Sequence, residues 1–329
     1  MRALLLIVPI LAASPTAHAT PAIVRASSRG AGVAVARGAP GGGGVLWIAA
    51  DGVTVTRHEL PASRWILDAH VTGAGDVLLA STDVPRGGPI VIGRFAPGAA
   101  APVEVEVAGS EGLSDVRFLE GDARLALVTS ARAFVSDDGG RSFAALAEWE
   151  VDTYAFYASS GRVTADGGVE VLAPTFNTCG SSDILEELTR LSARPRPGPA
   201  RATPVRFASA DFPSVASLMA DGGLLTATRR DEDCVLRART SAGARDLRRA
   251  PECWLLTATN QRFTVALVGA RVLRVAGLSS RVLGVLPNTD AADDITPDAR
   301  GRALVLLDDG RVVRYAARAA PAVVLFAGP

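Results

Sequence analysis

ALVLLDDGRVVRY, residues 303–315, is two short apolar runs around Asp309-Gly310, the form of two antiparallel strands joined by a tight turn. LWIAADGVTVTR (46–57) and ALVGARVLRV (266–275) repeat the pattern with Asp-Gly and Gly-Ala at the turn. Such runs, each behind a small or turn-forming stretch, begin seven times, at Val45, Val77, Arg124, Val169, Leu224, Phe263 and Ala303. The intervals are 32, 47, 45, 55, 39 and 40 residues, an average of about 43, within the range of propeller repeats. We read each run as the second, buried strand of a blade. The expected fold is therefore all-β, a seven-bladed β-propeller of four-stranded antiparallel blades. Either Ile23-Val24 or AVVLF (322–326) could supply the outer strand of the last blade.

The first 19 residues stand outside this pattern. Arg2, an apolar run from Leu4 to Ala13 and Ala17-His18-Ala19 have the three parts of a secretory signal peptide, with cleavage expected after Ala19. The run is too short to span a bilayer, which needs about 20 residues, and no cysteine sits at the cleavage site to accept a lipid. Residues 20–329 then form a single propeller domain, secreted or periplasmic, monomeric and without a membrane span. Ile184–Leu191 could turn once as a helix, but its place after the fourth repeat marks it as a third strand, followed by the Pro/Arg-rich connection RPRPGPARATP (194–204).

Composition is that of a core-forming protein, with 48% hydrophobic and 21% charged residues and a formal net charge of zero. No overall basic field is present to recruit nucleic acid. All 34 basic residues are Arg, which reads as the codon usage of a GC-rich bacterium.

SDDGGRSF, residues 136–143, fits the pattern S-x-D-x-G-x-x-[WF] with Ser136, Asp138, Gly140 and Phe143 in register. It resembles the Asp-box, or BNR repeat, of the sialidase-like propeller families. There the motif is a hairpin turn between the third and fourth strands of a blade. The Asp caps turn amides, Gly takes the positive φ and the aromatic packs beneath. Asp51-Gly52, Asp166-Gly167, Asp221-Gly222 and Asp309-Gly310 lack the Ser and the aromatic and read as ordinary turns.

The resemblance implies a glycoside hydrolase with an arginine cluster, a tyrosine nucleophile paired to Glu, and an acid Asp. The usual F/Y-R-I-P motif is absent; VRFLE (116–120) and VRFAS (205–209) lack the Ile-Pro. Of the three tyrosines, Tyr154 and Tyr157 alternate to opposite faces of a strand, and Tyr315 lies in a repeat hairpin. Outside the leader only His58 and His70 remain, with no zinc-ligand spacing, and GGGG (41–44) lacks the residues of a phosphate cradle. No catalytic residue, metal site or resident cofactor is assigned. Calcium held by Asp231 and Asp233, or by Asp290, Asp293 and Asp294, is chemically reasonable, though no loop carries a full calcium motif.

Exported proteins usually pair their cysteines. Cys179 and Cys234 follow the second strands of blades four and five, Cys253 leads into blade six, and these connections share one face. Cys234–Cys253 is the favoured pair and Cys179–Cys234 its competitor. The same face gathers Trp65, Trp149, Phe212 and Trp254 with Asp231, Glu232 and Asp233. They either stack on a sugar or peptide or pack between blades. Two functions stay open: a non-catalytic exported propeller that binds a protein or glycan through this face, and a divergent sialidase-like hydrolase or lyase acting on extracellular carbohydrate. Convergence of arginines such as Arg64, Arg117 and Arg206 with a carboxylate pair in the channel would favour the second.

Overall fold

The computed structural model describes residues 22–84, 87–113, 115–149, 160–177, 184–207, 213, 215–251, 253, 255–287, 292–317 and 320–326. The chain forms seven four-stranded antiparallel sheets, each contiguous in sequence. Blade 1 is β1 (Ala22–Ala26), β2 (Val33–Gly38), β3 (Gly44–Ala49) and β4 (Thr56–Leu60). Blade 2 is β5 (Trp65–Val71), β6 (Val77–Thr82), β7 (Val91–Phe95) and β8 (Val103–Glu106). Blade 3 is β9 (Arg117–Glu120), β10 (Leu125–Val128), β11 (Arg132–Ser136) and β12 (Ala144–Glu148). Blade 4 is β13 (Ser160–Val163), β14 (Val169–Asn177), β15 (Ile184–Ala193) and β16 (Arg201–Pro204). Blade 5 is β17 (Val215–Leu218), β18 (Leu224–Arg230), β19 (Asp233–Thr240) and β20 (Gly243–Ala250). Blade 6 is β21 (Leu255–Thr259), β22 (Thr264–Val268), β23 (Arg271–Ala276) and β24 (Ser279–Val285). Blade 7 is β25 (Ala292–Pro297), β26 (Ala303–Leu307), β27 (Arg311–Tyr315) and β28 (Ala322–Phe326).

First strands contact one another in an unbroken cycle, β1 to β5, β9, β13, β17, β21, β25 and back to β1, so they line the axis. Second strands are buried on both faces, as in VLLAST of β6, LALV of β10 and ALVLL of β26. Fourth strands face solvent, as in VEVE of β8 and RATP of β16. A strand covered on both sides reads as a continuous apolar run, which is why the second strands dominate the sequence signal. Blade 1 departs from the expected register. Val45 opens its third strand, GVLWIA, while its second strand is VAVARG, whose small residues gave a weaker signal. Measured from Val33, the step to Val77 is 44 residues, and the short first interval disappears.

The turn between first and second strands is the steadier repeat. Thr72–Asp76, Thr164–Gly168, Met219–Gly223 and Asp298–Arg302 each close with a backbone hydrogen bond from the first residue to the fifth. Gly75, Gly167, Gly222 and Gly301 take the fourth place with φ between 69° and 88°, a conformation open chiefly to glycine.

Seven apolar clusters fill the seven gaps between neighbouring blades. The gap between the last blade and the first is closed by Val24, Val33, Val35 and Trp47 against Leu304, Leu306 and Val312. Of the two segments expected to supply the outer strand of the last blade, AVVLF (322–326) does so as β28, while Ile23-Val24 lies in β1 and does not cross over. β1 is the innermost strand of blade 1 and β28 the outermost of blade 7, so the ring closes through side chains and not through a shared sheet.

Candidate functional site

Propellers carry ligands along the channel or on a face. Arg25 on β1 reaches across two blade boundaries. One guanidinium nitrogen donates to Asp68 Oδ1 at 2.5 Å, the other to Asp294 Oδ2 at 2.6 Å. Asp68, only 1% exposed, also accepts from the Phe118 amide at 2.8 Å, and Asp294 from the Val24 amide at 3.0 Å. The four contacts tie blades 7, 1, 2 and 3. Burial opposes the Arg25 charge, yet the two carboxylates hold its pKa above that of an ordinary arginine. His70 lies beside this cluster, 5.9 Å from the Phe118 ring. Burial, helped by the Arg25 charge and opposed by Asp68, pushes the imidazole down to about 4. Near neutral pH the cluster is therefore a closed set of paired charges beside a neutral imidazole, suited to holding blades together.

The other arginines named from the sequence do not join it. Arg64 pairs with Asp83 at 3.1 Å and Glu104 at 2.8 Å on blade 2. The Arg117 side chain is exposed, and the Arg206 carbonyl accepts from Arg239 at 2.7 Å. Tyr315 is 2% exposed in the core between blades 6 and 7. His58 packs against Phe95 at a tilt of 60°, with ring centroids 5.0 Å apart.

On the predicted face, Cys234 and Cys253 form a disulfide with Cα atoms 4.8 Å apart. The bond joins the start of β19 to the connection that leads into blade 6. Trp65 is half-buried, its indole edge against Gly42 of the GGGG turn. Trp149 is 7% exposed and its Nε1 donates to the Ser130 carbonyl at 3.1 Å. Asp231 and Glu232 are exposed in a turn where Asp231 has φ 55°, and Asp233 lies 3.8 Å from Arg249. Phe212, Trp254, Cys179, Tyr154, Tyr157 and Asp290 fall outside the described residues. Asp293 faces Arg37 at 3.5 Å. Among the described residues no three of His, Cys, Asp and Glu converge as a metal would require.

The SDDGGRSF segment is the β11–β12 turn. Asp138 Oδ1 accepts from the Arg141 and Ser142 amides at 2.9 and 3.0 Å, and from the Ser136 hydroxyl at 2.7 Å. Ser136 Oγ in turn accepts from the Gly140 amide at 2.7 Å. Gly140 has φ 87°, and Phe143 packs on the core between blades 2 and 3. Burial raises the Asp138 pKa, but the hydrogen bonds from Ser142 and Ser136 outweigh it and hold the carboxyl well below the usual range.

A broad concavity lies at the rim, between the outer strand of blade 3 and the outer hairpin of blade 4, with a volume of about 800 Å³. Leu146, Trp149 and Leu191 form its floor, and Pro197 and Pro199 one lip. On the other lip Arg132 pairs with Glu148 at 2.7 Å and donates to the Gly109 carbonyl at 2.6 Å. β12 pairs with β11 on one side only; on its open side the Leu146 carbonyl accepts from the Gly198 amide at 3.0 Å. Of the candidate binding residues named from the sequence, Trp149 lines this groove. Its other wall is the Pro/Arg-rich connection, whose one legible signal was that it lengthened a repeat.

No family model matches the sequence, and no curated protein matches it. Solved structures do. The chain is similar to a structure described as YCF48 bound to D1 peptide, with a TM-score of 0.57 and 13% identity over 92% of this chain and 93% of that one. It is also similar to the β-propeller domain of the Trilobed protease from Pyrococcus furiosus, described as having an open velcro topology, at TM-score 0.57 and 8% identity over 94% and 99%. A puromycin hydrolase matches with TM-score 0.58 and 16% identity, over 93% of this chain but 53% of the hydrolase. The likeness is one of fold.

Proposed function

We propose that this chain is an exported, non-catalytic propeller that binds a protein partner, and that an extended partner segment lies in the groove between blades 3 and 4. The groove carries the reading. It joins an apolar floor, a paired-charge lip and the open edge of β12, which already takes one backbone hydrogen bond from Gly198. An added chain could extend that edge while its side chains fill the floor, the usual division between affinity and specificity in strand addition. The pairing of the channel charges supports a non-catalytic role, and the Cys234–Cys253 bond supports an oxidising compartment. The YCF48 structure with a bound peptide shows that a propeller of this general form can hold one.

Ala145 and Ala202 line the groove and are exposed, so a photocrosslinking residue at either reports on occupancy without disturbing the core. In the cell envelope we expect adducts at 145 and at 202, the latter abolished by Ala145→Arg, and none from a probe at 281 on blade 6. Equal labelling at 281, or none at the groove, would reject the reading.

A further inference from the structure

On the face opposite the disulfide, blades 6 and 7 bring together arginines that have no counterion. Arg274 on β23 and Arg281 on β24 are directly opposed in register, near the strand ends that meet this face. Like charges so placed weaken a sheet. Leu273 and Val275 face blade 5 and Val272 faces blade 7, so alternation turns the two arginines towards blade 7. There Arg274 lies over the Phe263 ring at 5.5 Å. The same ring sits against Gly301, where a Cβ would come within 2.8 Å of it, so the β25–β26 turn and its exposed Arg300 adjoin the pair. Arg262, next to Phe263, is exposed in the β21–β22 turn. Among the described residues none of these four arginines pairs with a carboxylate, and Asp298 of the β25–β26 turn is taken up by Arg302 at 2.6 Å and by turn amides. Beyond them, burial and the charges of Arg302 and Arg300 push Arg314 below the usual arginine range, against Asp298. Asp51 and Asp221 also lie on this face, each accepting from amides of its own turn.

The same face carries the most exposed large apolar side chain among the described residues. This is Val53, at 81%, on the β3–β4 turn of blade 1, with Val55 exposed beside it. On blade 7 the chain enters β28 through Ala320, Pro321, Ala322 and Val323, all exposed, the valine by 56%. These two hairpin ends belong to adjacent blades, and the arginines flank them on the side of blade 6. Apolar side chains at turns beside unpaired arginines suit the boundary of a bilayer, where valines enter among the headgroups and guanidinium groups meet phosphate. A soluble polyanion would engage the arginines and leave the valines in water. An apolar protein surface would cover the valines and leave the arginines without acceptors.

We propose that the face formed by blades 6, 7 and 1 is a docking surface for an anionic lipid bilayer, with Arg262, Arg281 and Arg300 on phosphate groups and Val53 and Val323 set among the headgroups. The contact is peripheral. Blades 3 and 4 lie opposite blade 7 in a ring of seven, so the rim groove is away from it, and this proposal does not depend on the function proposed for that groove.

The test is co-sedimentation of residues 20–329, which contain every strand of the seven blades, with vesicles at low salt. Vesicles of phosphatidylcholine mixed with phosphatidylglycerol should carry the protein down, and phosphatidylcholine alone should not. Arg281→Glu with Arg300→Glu should weaken binding more than tenfold, since each arginine near an anionic surface is worth about fivefold. Val53→Ser with Val323→Ser should weaken it several-fold while leaving retention on immobilised dextran sulfate unchanged. Arg249→Glu with Arg271→Glu makes the same change of charge at the disulfide end of blades 5 and 6 and should leave vesicle binding as it was. Failure to sediment with the anionic vesicles, or a loss from the Arg281 and Arg300 changes no greater than from that control, would overturn the proposal. So would serine variants that bind vesicles as well as the native protein, which would mark a site for soluble polyanions instead.

Discussion

Arg25 shows how much one side chain can hold. It neutralises Asp68, which is almost wholly buried, and Asp294 across the ring closure. Arg25→Met leaves the Asp68 charge without its counterion, and we expect a loss of about 3–5 kcal/mol in urea or guanidinium unfolding. Replacing Asp68 and Asp294 by Leu in the same protein should recover most of that loss, since the penalty is the stranded charge. His70 gives the pH dependence. Its pKa is about 4 when folded and 6.5 in an ordinary histidine, so between these values the unfolded chain takes the proton and the folded one does not. Stability should therefore fall as pH drops from 6.5 towards 4, by on the order of 2–3 kcal/mol. Denaturation midpoints at pH 7 and 4.5 should show it, and His70→Phe should flatten that part of the curve. Neither role was legible from sequence. A lone Arg in VRAS and a lone His in DAHV carry no spacing signal, because their partners lie 43 to 269 residues away or in another blade.

At the level of strands and turns the sequence was far more readable. The second strands stood out because burial on both faces removes polar residues from them, and the one error, in blade 1, arose where Ala and Gly replaced larger side chains in VAVARG. The turns were readable because a positive φ demands glycine. In the β11–β12 turn Asp138 receives two amides and two hydroxyls; Asp138→Ala should cost about 1–2 kcal/mol, as for a lost capping residue, and leave the other blades intact by hydrogen exchange. The Cys234–Cys253 bond closes a segment with a sequence separation of 19. The Cys234→Ala/Cys253→Ala pair should lower stability by about 3 kcal/mol through the freer unfolded chain. The matching control is the native protein under reductant, which should unfold at the same denaturant concentration as the double variant.

Across the whole ring, net charge conceals an asymmetry. Residues 65–148, blades 2 and 3, contain twelve Asp and Glu against six Arg; residues 215–285, blades 5 and 6, contain six against eleven. These pairs of blades sit nearly opposite in a ring of seven. A protein with zero formal charge should then be retained on a cation exchanger at pH 7 and low salt, through Arg245, Arg249, Arg271 and Arg281, which are exposed on the fourth strand of blade 5 and the third and fourth strands of blade 6. Arg245→Glu with Arg281→Glu should abolish retention. The rim groove escaped the sequence for the same reason as this asymmetry: it is assembled from more than one blade, and a repeat pattern reports on one blade at a time.

The ring without a shared closing sheet has one more consequence. Every blade is a contiguous segment, Ala22 starts a first strand, and Phe326 ends a fourth strand, just as Leu60 does with four residues between it and Trp65, which begins the next blade. A short linker from 326 to 22 would make one more connection of the kind the chain already uses at its other blade boundaries. The chain could then be opened at any of those, so the fold is a natural subject for circular permutation, in which the order of blades is kept and only the starting point moves.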